Sequence, residues 1–110
     1  MKLSDIMVSE AVIPELKATS RNEAIQELIR SLADAEALTS EQAREAEKAV
    51  LAREGQATTG IGKGVALPHA KLKGIDMPIG TIGRSSDGID FSALDSKPVY
   101  SVILLLSNPD

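Results

Sequence analysis

Five consecutive aliphatic residues, Val102-Ile103-Leu104-Leu105-Leu106, constrain this chain more than any other feature. Together with Val99 they read as a strand over 99–106. An unbroken apolar run of that length predicts burial on both faces, because a one-sided strand alternates polar and apolar residues. Such a strand needs cover above and below. The rest of the chain must supply it.

Helices come first. Ser20-Arg21-Asn22-Glu23 has the spacing of a capping box, a hydroxyl followed three residues later by a carboxylate. Ala24, Ile25, Leu28, Ile29 and Leu32 then recur at helical spacing, which predicts a helix over 20–38. Thr39 and Gln42 repeat the capping spacing and open a second helix, to about Arg53. Its inward stripe is Ala43, Ala46, Val50 and Leu51, and Gly55 is its expected stop. Its charged residues, Glu41 to Lys48, read as a solvated face with i,i+4 pairs.

After Gly55 glycines cluster and helical periodicity disappears. Val65-Ala66-Leu67 reads as a short strand ended by Pro68, and 79–85 as another. Asp87-Gly88 reads as the turn that follows. Residues 3–16 read as a helical turn and then a short strand. The expected architecture is a mixed α/β domain, a mixed β-sheet flanked by helices, with residues 1–110 as one domain. Two helices and an N-terminal segment leave the last strand short of cover. The domain is therefore expected to be incomplete at its C-terminus, or to be covered there by a partner.

Composition removes several functions. The 110 residues contain no cysteine and carry a net charge of −4. Disulfides, thiolate metal sites and cysteine nucleophiles are excluded. Acidity disfavours nucleic acid, whose affinity comes from Lys and Arg. Phe91 and Tyr100 are the only aromatics, too few for a base-stacking platform. No apolar run approaches the roughly 20 residues needed to span a bilayer. The N-terminus lacks the apolar core of a secretion signal. A cytoplasmic protein without membrane insertion is expected.

Chemistry concentrates in Gly60-Ile61-Gly62-Lys63-Gly64-Val65-Ala66-Leu67-Pro68-His69-Ala70. Gly60, Gly62 and Gly64 free the backbone for close approach to a ligand, and amide concavities favour anions. The run is neither a Walker A loop nor a dinucleotide fingerprint: no Ser or Thr follows Lys63, and the spacing is G-x-G-x-G. His69 is the only histidine, so no zinc spacing exists, even with Glu54, Asp76 or Asp90 as oxygen donors. A Ser-His-Asp set using Ser85 or Ser92 with Asp90 or Asp95 lacks a nucleophile elbow. There remains His69 itself as a nucleophile. An imidazole has an ordinary pKa of about 6.5, and its neutral form can attack phosphorus. Thr58, Thr59, Arg53 and the glycine amides are candidates to hold phosphoryl oxygens. The plain reading stands beside this one. A lone histidine is more often structural, Arg53 suits a helix C-terminus, and the glycines suit turns. The residues alone indicate a candidate anion site around a histidine, and an anion-binding domain without covalent chemistry is also consistent with them.

At these positions the sequence resembles a known family. Glu54, six residues, then Ile61-Gly62-x-x-Val65-Ala66-Leu67-Pro68-His69-Ala70 is similar to the active-site signature of Enzyme IIA domains of the fructose/mannitol class. That class includes the nitrogen-regulatory Enzyme IIA proteins. Arg53-Glu54, Thr59-Gly60-Ile61-Gly62, Gly88-Ile89-Asp90-Phe91 and Pro98-Val99 agree with it. Leu3-Ser4-Asp5-Ile6 and Val12-Ile13-Pro14-x-Leu16 resemble the stand-alone nitrogen-regulatory branch. The resemblance implies that Nε2 of His69 accepts a phosphoryl group from the histidine of HPr or an HPr-like carrier, charged by Enzyme I from phosphoenolpyruvate. The group would pass to an Enzyme IIB cysteine, or its presence would switch binding to regulatory target proteins. Arg53 matches a family arginine, and Thr59 with the Gly60–Gly64 loop would line the site. No cofactor or metal is implied. Family domains run to roughly 150 residues, and their later part adds a strand, a helix and a second histidine.

Overall fold

Capping and apolar spacing build the helices much as the sequence predicts. The computed structural model describes residues 3–109; Met1, Lys2 and Asp110 lie outside them. A single turn, α1 (Leu3–Ile6), and a 3-10 turn at Ser9–Ala11 precede α2 (Arg21–Asp34). The Ser20 hydroxyl accepts the Glu23 N–H at the start of α2, and the whole predicted stripe from Ala24 to Leu32 is buried. The helix ends at Asp34, not Leu38. Glu36 turns left-handed at φ 63°. Its N–H donates to Ala33, and the Ala37 N–H to Leu32. This is a Schellman stop with glutamate where glycine is usual. In α3 (Ser40–Gln56) Thr39 and Gln42 form the full capping box. The helix runs through Gly55 and stops at Ala57, which is extended.

Five strands follow: β1 (Gly60–Gly62), β2 (Val65–Ala66), β3 (His69–Lys71), β4 (Ile79–Ile89) and β5 (Val99–Ser107). The long apolar β5 is central. Antiparallel β4 flanks one side. Along the other side lie β2 and then β3, both parallel to β5, with Ala66 opposite Val102 and His69 opposite Leu105. The carbonyl of Pro68, between them, accepts the Leu105 N–H at 3.0 Å. β1 returns antiparallel on β2. Outside β4, Met7 and Ile13 bridge to Gly80 and Gly83.

Two strand expectations change. Asp87-Gly88 is not a turn between strands but a bulge inside β4. Register advances five residues on β4, from Arg84 to Ile89, against two on β5. Gly88 takes φ +84° there. Nor is β5 buried on both sides. Val102, Leu104 and Leu106 are fully buried beneath α2 and α3, whereas Ile103 and Leu105 on the opposite face are half-covered. Both helices lie on one face of the sheet, so the other keeps only partial cover. On the helix side Gly83 makes room for two core leucines. A Cβ there would meet Leu16 at 2.8 Å and Leu28 at 2.9 Å.

One core position works against stability. Thr81 is fully buried on β4, and among the described residues its Oγ1 has no hydrogen-bond partner. Valine keeps the shape and β-branching while removing the stranded hydroxyl. Thr81→Val should raise the unfolding free energy by about 1 kcal/mol, read as a higher urea midpoint. A lower midpoint would show that the hydroxyl has a partner.

Candidate active site

The end of α3, the hairpin β1–β2 and β3 converge on one cavity. Its volume is about 270 Å³, and its lining includes Arg53, Thr59, Leu67, His69 and Leu105. His69 is exposed at the start of β3. Its Nδ1 lies 2.9 Å from the Leu67 carbonyl oxygen. A carbonyl can only accept, so Nδ1 carries a proton, and in the neutral imidazole the lone pair is on Nε2. The stiff Leu67-Pro68 backbone sets the ring in this pose.

Arg53 stands in the last turn of α3, and its Nη1 donates to the Ala57 carbonyl at 2.8 Å. This bond satisfies one carbonyl at the helix C-terminus. A guanidinium has five donors, so one such bond does not exhaust it. Thr59 is buried, its hydroxyl and N–H both donated to Glu54 at 2.6 and 2.8 Å. The neighbouring Thr58 hydroxyl donates to the Phe91 carbonyl and accepts the Gly60 N–H at 3.0 Å.

The structure thus brings Arg53, Thr59 and His69 together and separates the glycines from them. Gly60 abuts the cavity residue Thr59 but packs on Ala93, where an added Cβ would approach to 2.8 Å. Gly62 and Gly64 form the far turn of the hairpin, beside Asp95 and Tyr100. Neither lines the cavity. The Thr59 and Gly60 amides donate within the protein, and so does that of Lys63, to Asp95 at 3.0 Å. An open cradle of amides is not what surrounds the imidazole. Leu67 and Leu105 supply apolar walls that the sequence alone does not disclose. Leu105 arrives only through its pairing with His69 across β3 and β5.

Asp95 anchors this hairpin from outside. Its carboxylate accepts the Lys63 N–H and, at 3.1 Å, the Lys97 N–H. These bonds, that from Lys63 foremost, hold its carboxyl below the ordinary carboxylate range. A carboxyl whose pKa is lower folded than unfolded stabilises the fold above the unfolded value of about 4 and ceases to do so as acidification passes the folded value. The urea midpoint of wild type should therefore exceed that of Asp95→Ala at neutral pH, and the gap should close below about pH 4. A gap that widens on acidification would contradict this account of the hairpin.

Comparison with known proteins shows the family. Residues 5–110 match the family model described as "Phosphoenolpyruvate-dependent sugar phosphotransferase system, EIIA 2", and the chain belongs to that family. It is 39% identical over 107 residues to a nitrogen regulatory protein of Bradyrhizobium diazoefficiens, covering 97% of this chain and 68% of that protein. It is 33% identical over 105 residues to the PTS system fructose-specific EIIABC component of Bacillus subtilis, covering 96% of this chain and 16% of that protein. The crystal structure of Nitrogen Regulatory Protein IIA-Ntr from Neisseria meningitidis shares the fold at a TM-score of 0.84. Its identity is 25%, with 98% of this chain and 72% of that one covered.

Proposed function

We propose that His69 is a transient phosphoryl carrier, taking the group from HPr or an HPr-like protein and handing it to an Enzyme IIB cysteine or holding it as a regulatory mark. The observation that carries this reading is the Nδ1–Leu67 bond at 2.9 Å, which ties up Nδ1 and makes Nε2 the nitrogen that carries the lone pair in the neutral form of this exposed ring. The Nε2 lone pair attacks phosphorus of the donor phosphohistidine. A new N–P bond forms as the donor's N–P bond breaks, and its electron pair returns to the donor ring. The phosphorylated imidazole is cationic, with Nδ1–H still donated to the Leu67 carbonyl. Onward transfer repeats the step with a thiolate: an S–P bond forms, the N–P bond breaks and Nε2 recovers its pair.

Arg53 supplies charge to the equatorial oxygens, and Leu67 and Leu105 wall the site on its apolar side. The donors and acceptors are cytoplasmic phosphoproteins, and among the described residues no helix is long and apolar enough to cross a membrane. Relatives named as a nitrogen regulatory protein and as a fructose-specific PTS component are both compatible with a phosphohistidine at this position.

Incubation with phosphoenolpyruvate, Enzyme I and HPr, followed by intact-mass measurement, tests the proposal. Wild type should gain one phosphoryl group, labile to acid, and His69→Ala none. A phosphorylated His69→Ala protein would place the acceptor elsewhere.

A further inference from the structure

One buried carboxylate takes no direct part in this transfer. Glu54 lies in the last turn of α3 and is 2% exposed, on the same inward stripe as Ala46 and Val50. A carboxylate is disfavoured there twice over, by removal from water and by the negative end of the helix dipole. An aliphatic side chain would satisfy packing without either cost. What Glu54 adds is bonding. Its two oxygens accept the Thr59 hydroxyl at 2.6 Å and the Thr59 N–H at 2.8 Å. Two further bonds lead from Thr59 to the imidazole. The Thr59 carbonyl accepts the Leu67 N–H at 3.0 Å, and the Leu67 carbonyl accepts Nδ1–H of His69 at 2.9 Å.

We propose that Glu54 is a positioning residue which, through Thr59 and Leu67, holds the His69 ring in the tautomer and orientation that present Nε2. The inference rests on the reading of His69 as the phosphoryl acceptor. The relay transmits position, not protons. The N–H and C=O of Thr59 belong to different peptide groups, and so do those of Leu67. Glu54 also pins the turn of α3 that bears Arg53 to the segment just before β1 that bears Thr59. Arg53 and Thr59 are thereby set against the same frame as the ring. Both Thr59 donors are buried, so an aliphatic residue at 54 would strand them. They would be regained only by shifting the loop toward water, and the Leu67 carbonyl would shift with it.

Two readouts test this. Nitrogen-15 NMR of the imidazole reports the His69 tautomer without any phosphoryl donor. Single-turnover transfer from phosphorylated HPr reports the chemistry. Glu54→Gln should stay close to wild type in both: its carbonyl accepts the Thr59 N–H and its amide donates to a rotated Thr59 hydroxyl. Glu54→Ala, shown folded by circular dichroism, should populate both tautomers and transfer roughly 10- to 100-fold more slowly, the effect of a small misplacement of a reacting group. Should Glu54→Ala not fold, Glu54→Asp, one methylene too short to hold both donors, is expected to give the same mixed tautomers. A folded Ala or Asp variant that keeps the wild-type tautomer and rate would overturn the relay. Wild type that takes up no phosphoryl group would instead overturn the acceptor reading, while the tautomer spectra would still decide the role of Glu54.

Discussion

Arg53→Gln should slow phosphoryl transfer to His69 by about 100-fold or more, the cost of removing one preorganised positive donor from a developing oxyanion, and should leave the fold intact. Arg53 lines the cavity with His69, half-buried, at the end of α3. Partial withdrawal from water strengthens its field on a phosphoryl dianion relative to a surface cation. Glutamine retains a donor for the Ala57 carbonyl, so the helix end survives while the charge is lost. Lysine should restore only part of the rate. An ammonium is a single point charge and cannot cap Ala57 and meet a phosphoryl oxygen in the way a forked guanidinium can. Single-turnover rates with phosphorylated HPr check this. An unchanged rate in Arg53→Gln would assign the arginine to helix capping alone.

The second large effect is on stability. Phe91→Ala should lower the unfolding free energy by about 3–5 kcal/mol, the usual cost of emptying a phenylalanine site. For a small domain, stable by about 5–15 kcal/mol in all, that is a large share. Phe91 is the only phenylalanine and is fully buried. Its backbone also serves the site, because its carbonyl accepts the Thr58 hydroxyl and the Ala93–Asp95 turn that braces Gly60 and Lys63 follows directly. The variant should therefore loosen the hairpin before it unfolds globally. Urea unfolding measures the first effect and amide exchange at Lys63 the second. A loss below about 1 kcal/mol would mean that the core refills the space.

Legibility in the sequence followed the range of the interactions. The starts of α2 and α3 were readable because capping is local: Ser20 with Glu23, Thr39 with Gln42. The end of α2 was hidden because Glu36 occupies a left-handed position without the glycine that signals one. β4 was cut short at Asp87-Gly88 because a bulge and a turn use the same residues. Only the continued pairing of Ile89 with Val99 tells them apart. β1 and β3 are three residues each, too short for a periodic pattern; β1 exists through its hairpin with β2 and β3 through pairing with the distant β5. His69, Arg53 and Thr59 carry chemical identity in the sequence, and the structure lines one cavity with all three. Glycine marks both anion loops and tight turns, so in the sequence Gly60, Gly62 and Gly64 all read as ligand-binding; the last two sit elsewhere. Their left-handed φ values of +105° and +78° fall at the turn of the hairpin, away from the cavity. Glu54 stood in the signature, but nothing in the residue order shows its carboxylate reaching Thr59.

The phosphorylation of one particular nitrogen tests the account most directly. With His69 labelled by nitrogen-15 and the protein charged through HPr, the Nε2 resonance should show coupling to phosphorus while Nδ1 remains protonated against Leu67. Phosphorus bonded to Nδ1, or an unmodified ring in a charged protein, would contradict it.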